Sequence, residues 1–431
     1  MALPELPFSH KLQLSTSSRP HAVVVPQDPL GWLVCFVSFT MLLLISWSAS
    51  QPGEWTTTIV VLLFLLPWGW IVLRQPDDAL RAIVANWVLI ALPLLSVASA
   101  LWSDHPAVSL KGGVQYLATT IIGILAGYCI KSRTLISALL MALILLAVLS
   151  LLGGTAEYNV YTGEYTLIGL FGSKNYFAVC VSFLLLTGAS VAFDRSYSFV
   201  FRTVGIAGAI FAMPLLVYAR SVGALVFSII TLMIFLMLRV LVRMPFKLRI
   251  AILALIIPST VLILILATFD VNFAHFLNYF GKDVSLTGRT LLWEHAAAAI
   301  AERPLLGGGY EAFWQPGNSS AEQLWYYSYV TNKYGYHFHN TFFEITVDLG
   351  FIGLSVFAMT LAIIAARIIA RFTFSRSSSE QLFATALFIF LVLRMPIEVD
   401  LFSQFQLASI LICIIWIYVG PIVLVPGHKR S

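Results

Sequence analysis

Apolar runs long enough to cross a lipid bilayer recur along this chain from beginning to end, and no other feature limits its fold as much. A hydrocarbon core of about 30 Å needs roughly 17–25 apolar residues in helical form. Twelve such stretches are legible: 31–49, 57–73, 79–100, 112–130, 135–152, 174–193, 202–219, 222–240, 250–268, 341–366, 381–396 and 406–425. Only Arg220 and Ser221 separate the seventh from the eighth, which reads as a tight hairpin. Inside lipid every backbone N–H and C=O must be satisfied within the protein, so these runs are helices and not open strands. Charged residues are 10% of the chain, against roughly 25% in soluble domains. The expected fold is all-α: a polytopic membrane protein of about twelve transmembrane helices with one large outer loop.

Charge sets the orientation. Residues 1–30 are polar and carry Pro4, Pro7, Pro20, Pro26 and Pro29 without an apolar core, which reads as a cytoplasmic tail and not a cleavable leader. Starting inside, most of the 25 Lys and Arg fall at cytoplasmic ends, among them Arg74, Arg81, Lys131, Arg133, Arg239, Arg243, Arg367 and Arg371. The opposite orientation would break the positive-inside rule. The division is then a tail over 1–30, helices one to nine over 31–268, a large outer loop with an interfacial helix over 269–340, helices ten to twelve over 341–425, and a cytoplasmic end over 426–431. The net charge of +5 is topogenic, so no nucleic-acid partner is expected. Cys35, Cys129, Cys180 and Cys413 all lie in apolar runs, which argues against a disulfide framework or a thiolate metal site.

Some cations fall on the outer side, where topology gives no reason for them: Lys111, Lys174, Arg220, Lys282, Arg289, Arg303, Lys333 and Arg394. Four outer segments concentrate chemistry. Gly169-Leu-Phe-Gly-Ser-Lys-Asn175 opens a helix with a cation and free N–H donors, which suits an anion and equally an interfacial anchor. In Tyr218-Ala-Arg-Ser-Val-Gly223, Arg220 reads either as a snorkelling residue or as a ligand contact with room beside it. Asp283-Val-Ser-Leu-Thr-Gly-Arg-Thr290 puts Arg289 in the first turn of an amphipathic interfacial helix. A cation there opposes the macrodipole unless an anion shares the place. Arg303-Pro304 and Gly307-Gly-Gly309 end that helix.

The fourth segment, His337-Phe-His-Asn340, precedes the tenth helix. A histidine there can take a proton from a hydroxyl near neutral pH, or the segment can simply cap a helix start. Two His at i, i+2 could ligate a metal, but no His-Glu-x-x-His, Cys pair or Asp cluster supports one, and the nearest carboxylates are Glu398 and Asp400. Only one of His337 and His339 is expected to face the pair Arg220 and Arg289.

Together these residues resemble the O-antigen ligase and polymerase superfamily, the Wzy-type membrane glycosyltransferases. The resemblance is carried by His339-Asn340-Thr-Phe-Phe-Glu344, by Asp348-Leu-Gly-Phe-Ile-Gly353, and by Leu101-Trp-Ser-Asp-His-Pro106. Lys282-Asp-x-Ser-Leu-Thr-Gly-Arg-Thr-x-x-Trp293 is most similar to the ExoQ-like exopolysaccharide polymerase branch. The resemblance implies a GT-C-like, inverting glycosyltransferase in the bacterial inner membrane, working at the periplasmic face without metal or cofactor. Its donor would be a glycan on undecaprenyl diphosphate and its acceptor a glycan or lipid A-core hydroxyl. Membrane lipid, a chain-length regulator and export proteins would be partners. It also implies that Arg220 and Arg289 grip the diphosphate and that His339 is the base. Lys174, Asn175, His337, Asn340, Arg394 and Glu398 would line the substrate site. The implied activity is polymerisation of repeat units, with ligation to lipid A core or transfer to protein as alternatives.

A transporter or flippase is the rival class. Transporters place charges near the midplane, often in repeated halves. Here the midplane is nearly uncharged and no half-to-half repeat is visible, while the polar residues gather in one outer loop.

Overall fold

The computed structural model describes residues 28–49, 54–159, 164–245, 289–327, 335–374 and 377–420, with a few isolated positions besides. It is a helical bundle. In chain order the helices are α1 (Pro29–Ala49), α2 (Glu54–Arg74), α3 (Pro76–Ala85), α4 (Trp87–Ala98), α5 (Pro106–Cys129) and α6 (Ser132–Gly153). An antiparallel hairpin follows, β1 (Thr155–Asn159) with β2 (Glu164–Gly169). Then come α7 (Lys174–Phe193), α8 (Phe199–Tyr218), α9 (Val222–Leu241), α10 (Arg289–Glu302) and α11 (Ser319–Tyr327). The chain closes with α12 (Thr341–Phe374), α13 (Ser379–Arg394) and α14 (Leu407–Val419).

Eight of the described helices are long and apolar enough to cross a membrane, or nine if the bent pair α3–α4 counts as one span. The chain is therefore a multi-pass membrane protein. The expected third span, 79–100, is not one straight helix: α3 and α4 meet at Asn86 with a bend of 82°. The Asn86 side chain holds that corner, donating to the Ala82 carbonyl at 2.8 Å and accepting from Trp416 Nε1 at 2.9 Å. The expected spans 381–396 and 406–425 are the shorter helices α13 and α14, and 250–268 lies outside the described residues. At the seventh-to-eighth junction, Ala219, Arg220 and Ser221 make the tight turn between α8 and α9, with Arg220 at φ 49°. α7 is the central pillar, buried from Phe177 to Ala192, and it packs on α8, α6, α9 and α13.

α12 is not continuous either. Gly350 adopts φ 64°, ψ −168°, and the freed backbone bonds to the segment after α10. Phe351 N donates to the Pro304 carbonyl at 2.8 Å and Ile352 N to the Leu305 carbonyl at 3.2 Å. In return Gly308 N reaches the Val347 carbonyl at 2.8 Å and Gly309 N that of Asp348 at 2.9 Å. A Cβ on Gly350 would meet the Leu305 carbonyl at 2.2 Å, and one on Gly307 would meet the Asp348 backbone at 2.4 Å, so only glycine permits this approach. The Gly307-Gly-Gly309 run is thus a docking segment as well as the end of α10. Beside it, Leu292 and Ala296 of α10 join Phe313, Trp314, Leu324, Trp325 and Phe338 in an aromatic core of their own. That core backs the residues discussed next.

Candidate active site

Glu398 is the point on which the candidate residues converge. It lies in the turn between α13 and α14, buried, and three side chains from distant parts of the chain reach it. Asn175 Nδ2 donates to Oε1 at 2.8 Å, Arg289 Nη2 donates to the same oxygen at 3.0 Å, and His339 Nδ1 lies 3.3 Å from Oε2. Ser221 Oγ extends the network by donating to Asn175 Oδ1 at 3.1 Å, which ties it to the turn that carries Arg220. The start of α7, the α8–α9 turn, α10 and the start of α12 therefore meet at one end of the bundle.

The local folding explains how these groups are held. Thr341 N donates to the Met395 carbonyl at 2.9 Å, Thr341 Oγ1 to the Glu398 carbonyl at 2.7 Å, and Asn340 Nδ2 to the Pro396 carbonyl at 3.1 Å. These bonds latch the Glu398 turn to the start of α12. Asn340 Oδ1 meanwhile accepts from Phe342 N and Phe343 N, the usual work of an N-cap. The Asn340 amide, expected among the substrate-binding groups, bonds to protein through both its oxygen and its nitrogen. Arg394, expected there too, is 1% exposed and bonded to Asp400 through Nε at 2.6 Å and Nη2 at 3.2 Å. That pair fixes the far side of the turn. It also removes Asp400 from any carboxylate pair with Glu398.

Both histidine rings lie on the same side, against the expectation that one alone faces the arginines; positions i and i+2 of an extended segment line one face. His339 takes φ 51°, its N–H donates to His337 Nδ1 at 3.1 Å, and the ring centroids are 4.3 Å apart. Phe338 between them is clamped at every polar atom. Its N–H donates to Glu344 Oε2 at 2.8 Å, its carbonyl accepts from Trp293 Nε1 at 3.0 Å, and its ring sits 4.7 Å from both Phe313 and Trp314. Glu344 is a residue whose part was not drawn from the sequence. The available signal was its place one helical turn after Asn340, on the face turned back toward the motif.

The electrostatics follow from this geometry. Burial, the neighbouring His339 and Arg289 push the His337 imidazolium down to about 3, so this ring is neutral near pH 7. Its Nδ1 accepts the His339 N–H, which leaves the proton on Nε2. Burial opposes ionisation of Glu398, but the hydrogen bond and charge of His339 and the charge of Arg394 outweigh it and hold the carboxyl below its ordinary range. A carboxylate can only accept. In the neutral ring, His339 Nδ1 would therefore carry the proton toward Glu398 and leave the lone pair on Nε2, the arrangement of an oriented general base.

The remaining expected residues are placed as follows. Lys174 is the first residue of α7, half-buried and beside Asn175. Arg220 is exposed on its turn. Of Asp283-Val-Ser-Leu-Thr-Gly-Arg-Thr290, only Arg289 and Thr290 are among the described residues. Ligand atoms of His337, His339 and Glu398 lie within 4.8 Å of one another, the one such grouping among the described residues. Arg289, however, places a cation 3.0 Å from the carboxylate that any metal would need.

Fold and site together define a multi-pass α-helical membrane protein with a histidine–carboxylate pair and arginines at one end of its bundle. Residues 206–358 match the family described as O-Antigen ligase. The chain is also similar to the Exopolysaccharide production protein ExoQ of Rhizobium meliloti (strain 1021), at 27% identity over 338 residues and 77% of each chain. Both findings bear out the resemblance read from the motifs. The family match covers Arg220, Arg289, His337, His339 and Asn340, whereas Asn175 and Glu398 lie outside it and are joined to those residues by the fold.

Proposed function

We propose that this protein is a glycosyltransferase of the bacterial inner membrane that transfers a glycan from undecaprenyl diphosphate to an acceptor hydroxyl at the periplasmic face, polymerising exopolysaccharide repeat units. The observation that carries this reading is Glu398 holding His339 on one oxygen and Arg289 on the other. One carboxylate thereby positions both a base and an anion-binding guanidinium.

The chemistry needs little else. His339 Nε2 accepts the proton of the acceptor hydroxyl as its oxygen attacks the anomeric carbon from the face opposite the phosphate. The new glycosidic C–O bond forms, the bond to the phosphate oxygen breaks with inversion, and the electron pair leaves on undecaprenyl diphosphate. Arg289 uses only one of its five donors on Glu398, so the others remain to hold the leaving diphosphate with Arg220 and Lys174. A diphosphate so held leaves without a metal, and the mechanism is metal-independent. Arg394 and Asn340 are assigned structural work, because their polar groups are bonded to protein. The full chain is assigned about twelve spans. A chain-length regulator and export proteins are the expected partners.

The similarity to an exopolysaccharide production protein favours polymerisation. The description of the matching family favours a second reading, ligation to lipid A core. Purified protein in detergent, given lipid-linked repeat units alone, should build a ladder of longer lipid-linked glycans. A ladder that appears only when lipid A core is added would select the ligase. No conversion without a second compartment would favour a transporter.

A further inference from the structure

The opposite end of the bundle holds a second concentration of cations. α9 begins beside Ser221 and α13 ends at Arg394, so their other ends lie about a helix length, roughly 25–30 Å, from the candidate active site. There Arg239, Val242 and Arg243 face Ser377, Ser379 and Leu382 across a cavity of about 270 Å³. With about 30 Å³ per water, that volume holds a phosphate group and several further heavy atoms.

The walls are built and not merely cationic. Arg239 Nη2 donates to the Phe193 carbonyl at 2.6 Å, and its guanidinium lies over the Phe193 and Phe235 rings at 5.3 and 5.7 Å, which fixes its orientation. Arg243 lies two residues past the end of α9, in the turn that follows, and among the described residues neither forms an ion pair with a carboxylate. The acid nearest in sequence to the opposite wall, Glu380, is turned to Ser132 of α6. On that wall Ser377 Oγ is buried without a hydrogen-bond partner among the described residues. Ser378 and Gln381 form a capping box, and the α13 start presents first-turn amides without intrahelical acceptors. Val242 and Leu382 supply an apolar flank.

We propose that this cavity binds a phosphate-ester anion, gripped by Arg239 and Arg243 on one side and by the Ser377 and Ser379 hydroxyls and the α13 start on the other. The chemistry is that of an anionic lipid headgroup or of a soluble phosphate, and the two sources are separable. Native mass spectrometry of the full chain from nanodiscs of mixed phosphatidylglycerol and phosphatidylcholine should show selective retention of the anionic lipid. Arg243→Gln and Arg239→Gln should each reduce that retention about tenfold, the effect of one charge-assisted bond. Arg243→Gln disturbs no packing seen at the candidate active site, so its transfer rate, unchanged from wild type, guards against misfolding. If inorganic phosphate raises the melting temperature of the wild type but not of the variants, with no lipid preference, the site takes a soluble phosphate. Equal lipid retention and equal phosphate response in wild type and both variants would overturn the proposal.

Discussion

Replacing Glu398 with Gln separates orientation from charge more cleanly than any other substitution. The carboxylate accepts from Asn175 and Arg289 on Oε1 and from His339 on Oε2. A glutamine can keep its carbonyl oxygen toward Asn175 and Arg289, since both are donors. Its amide nitrogen then replaces Oε2 and donates, so His339 Nδ1 must become an acceptor. The imidazole proton moves to Nε2, where the acceptor hydroxyl needs a lone pair. The loss should therefore approach removal of the base itself, about 10²–10⁴ in rate. Stability should fall far less, by roughly 1–3 kcal/mol for a charge-assisted bond made neutral, and toward the low end because the Arg289 side chain remains 17% exposed. The assay is single-turnover release of undecaprenyl diphosphate at saturating donor, with a melting curve on the same preparation. A Glu398→Gln protein that melts like wild type and turns over at nearly the wild-type rate would refute the base–carboxylate pair.

Three further outcomes are expected. Arg289→Ala and Arg220→Ala should each weaken donor use about tenfold or more, with Lys rescuing only in part and the double variant non-additive because both act on one diphosphate; strictly additive losses in donor titrations would mark them as structural. Because the native His337 pKa is near 3 and the unfolded value near 6.5, the unfolded chain binds the extra proton between those values, and stability should decline as pH falls through that window. Glu398, depressed in the native state, adds its own loss only below about pH 4.3, so a His337→Gln variant should flatten the upper part of the melting-temperature profile while leaving the lower part. Arg394→Ala should lower stability by about 3–5 kcal/mol, because it strands Asp400 in a buried place, and the double replacement Arg394→Met with Asp400→Leu should recover much of that in chemical denaturation.

The sequence made the helices legible and left their interruptions hidden. Hydropathy runs unbroken across 79–100, so nothing in that stretch announces the 82° corner, which depends on Asn86 meeting Trp416 from the last helix. Gly350 was visible as part of a motif, but its reason is the docking of Pro304 to Gly309, a contact between segments that composition cannot pair. Arg289 was suspect as a cation with no topogenic purpose, His339 for its proton chemistry and motif, and Asn175 for its place in a polar segment at a helix start. Glu398 ranked lower, as one carboxylate in a short turn. Its weight comes from partners 223, 109 and 59 residues away, and only the folded chain brings them together. Arg394 misled for the same reason: its partner is Asp400, six residues on around a turn whose path the sequence does not reveal. The two histidines share a side, as positions i and i+2 of a short segment do, and the clamp on Phe338 and the cap at Asn340 hold them there.

The most direct test of the central claim is one measurement on purified full-length protein in detergent with EDTA present: single-turnover transfer from an undecaprenyl-diphosphate-linked repeat unit, wild type against His339→Ala. The account predicts that the wild type forms a longer lipid-linked glycan and releases undecaprenyl diphosphate in equal amounts, chelator notwithstanding. His339→Ala, folded and still able to bind donor, should be slower by about 10²–10⁴. Transfer that stops with EDTA and returns with Mg²⁺ or Mn²⁺ would contradict the metal-free mechanism, and transfer at the wild-type rate by His339→Ala would contradict the base.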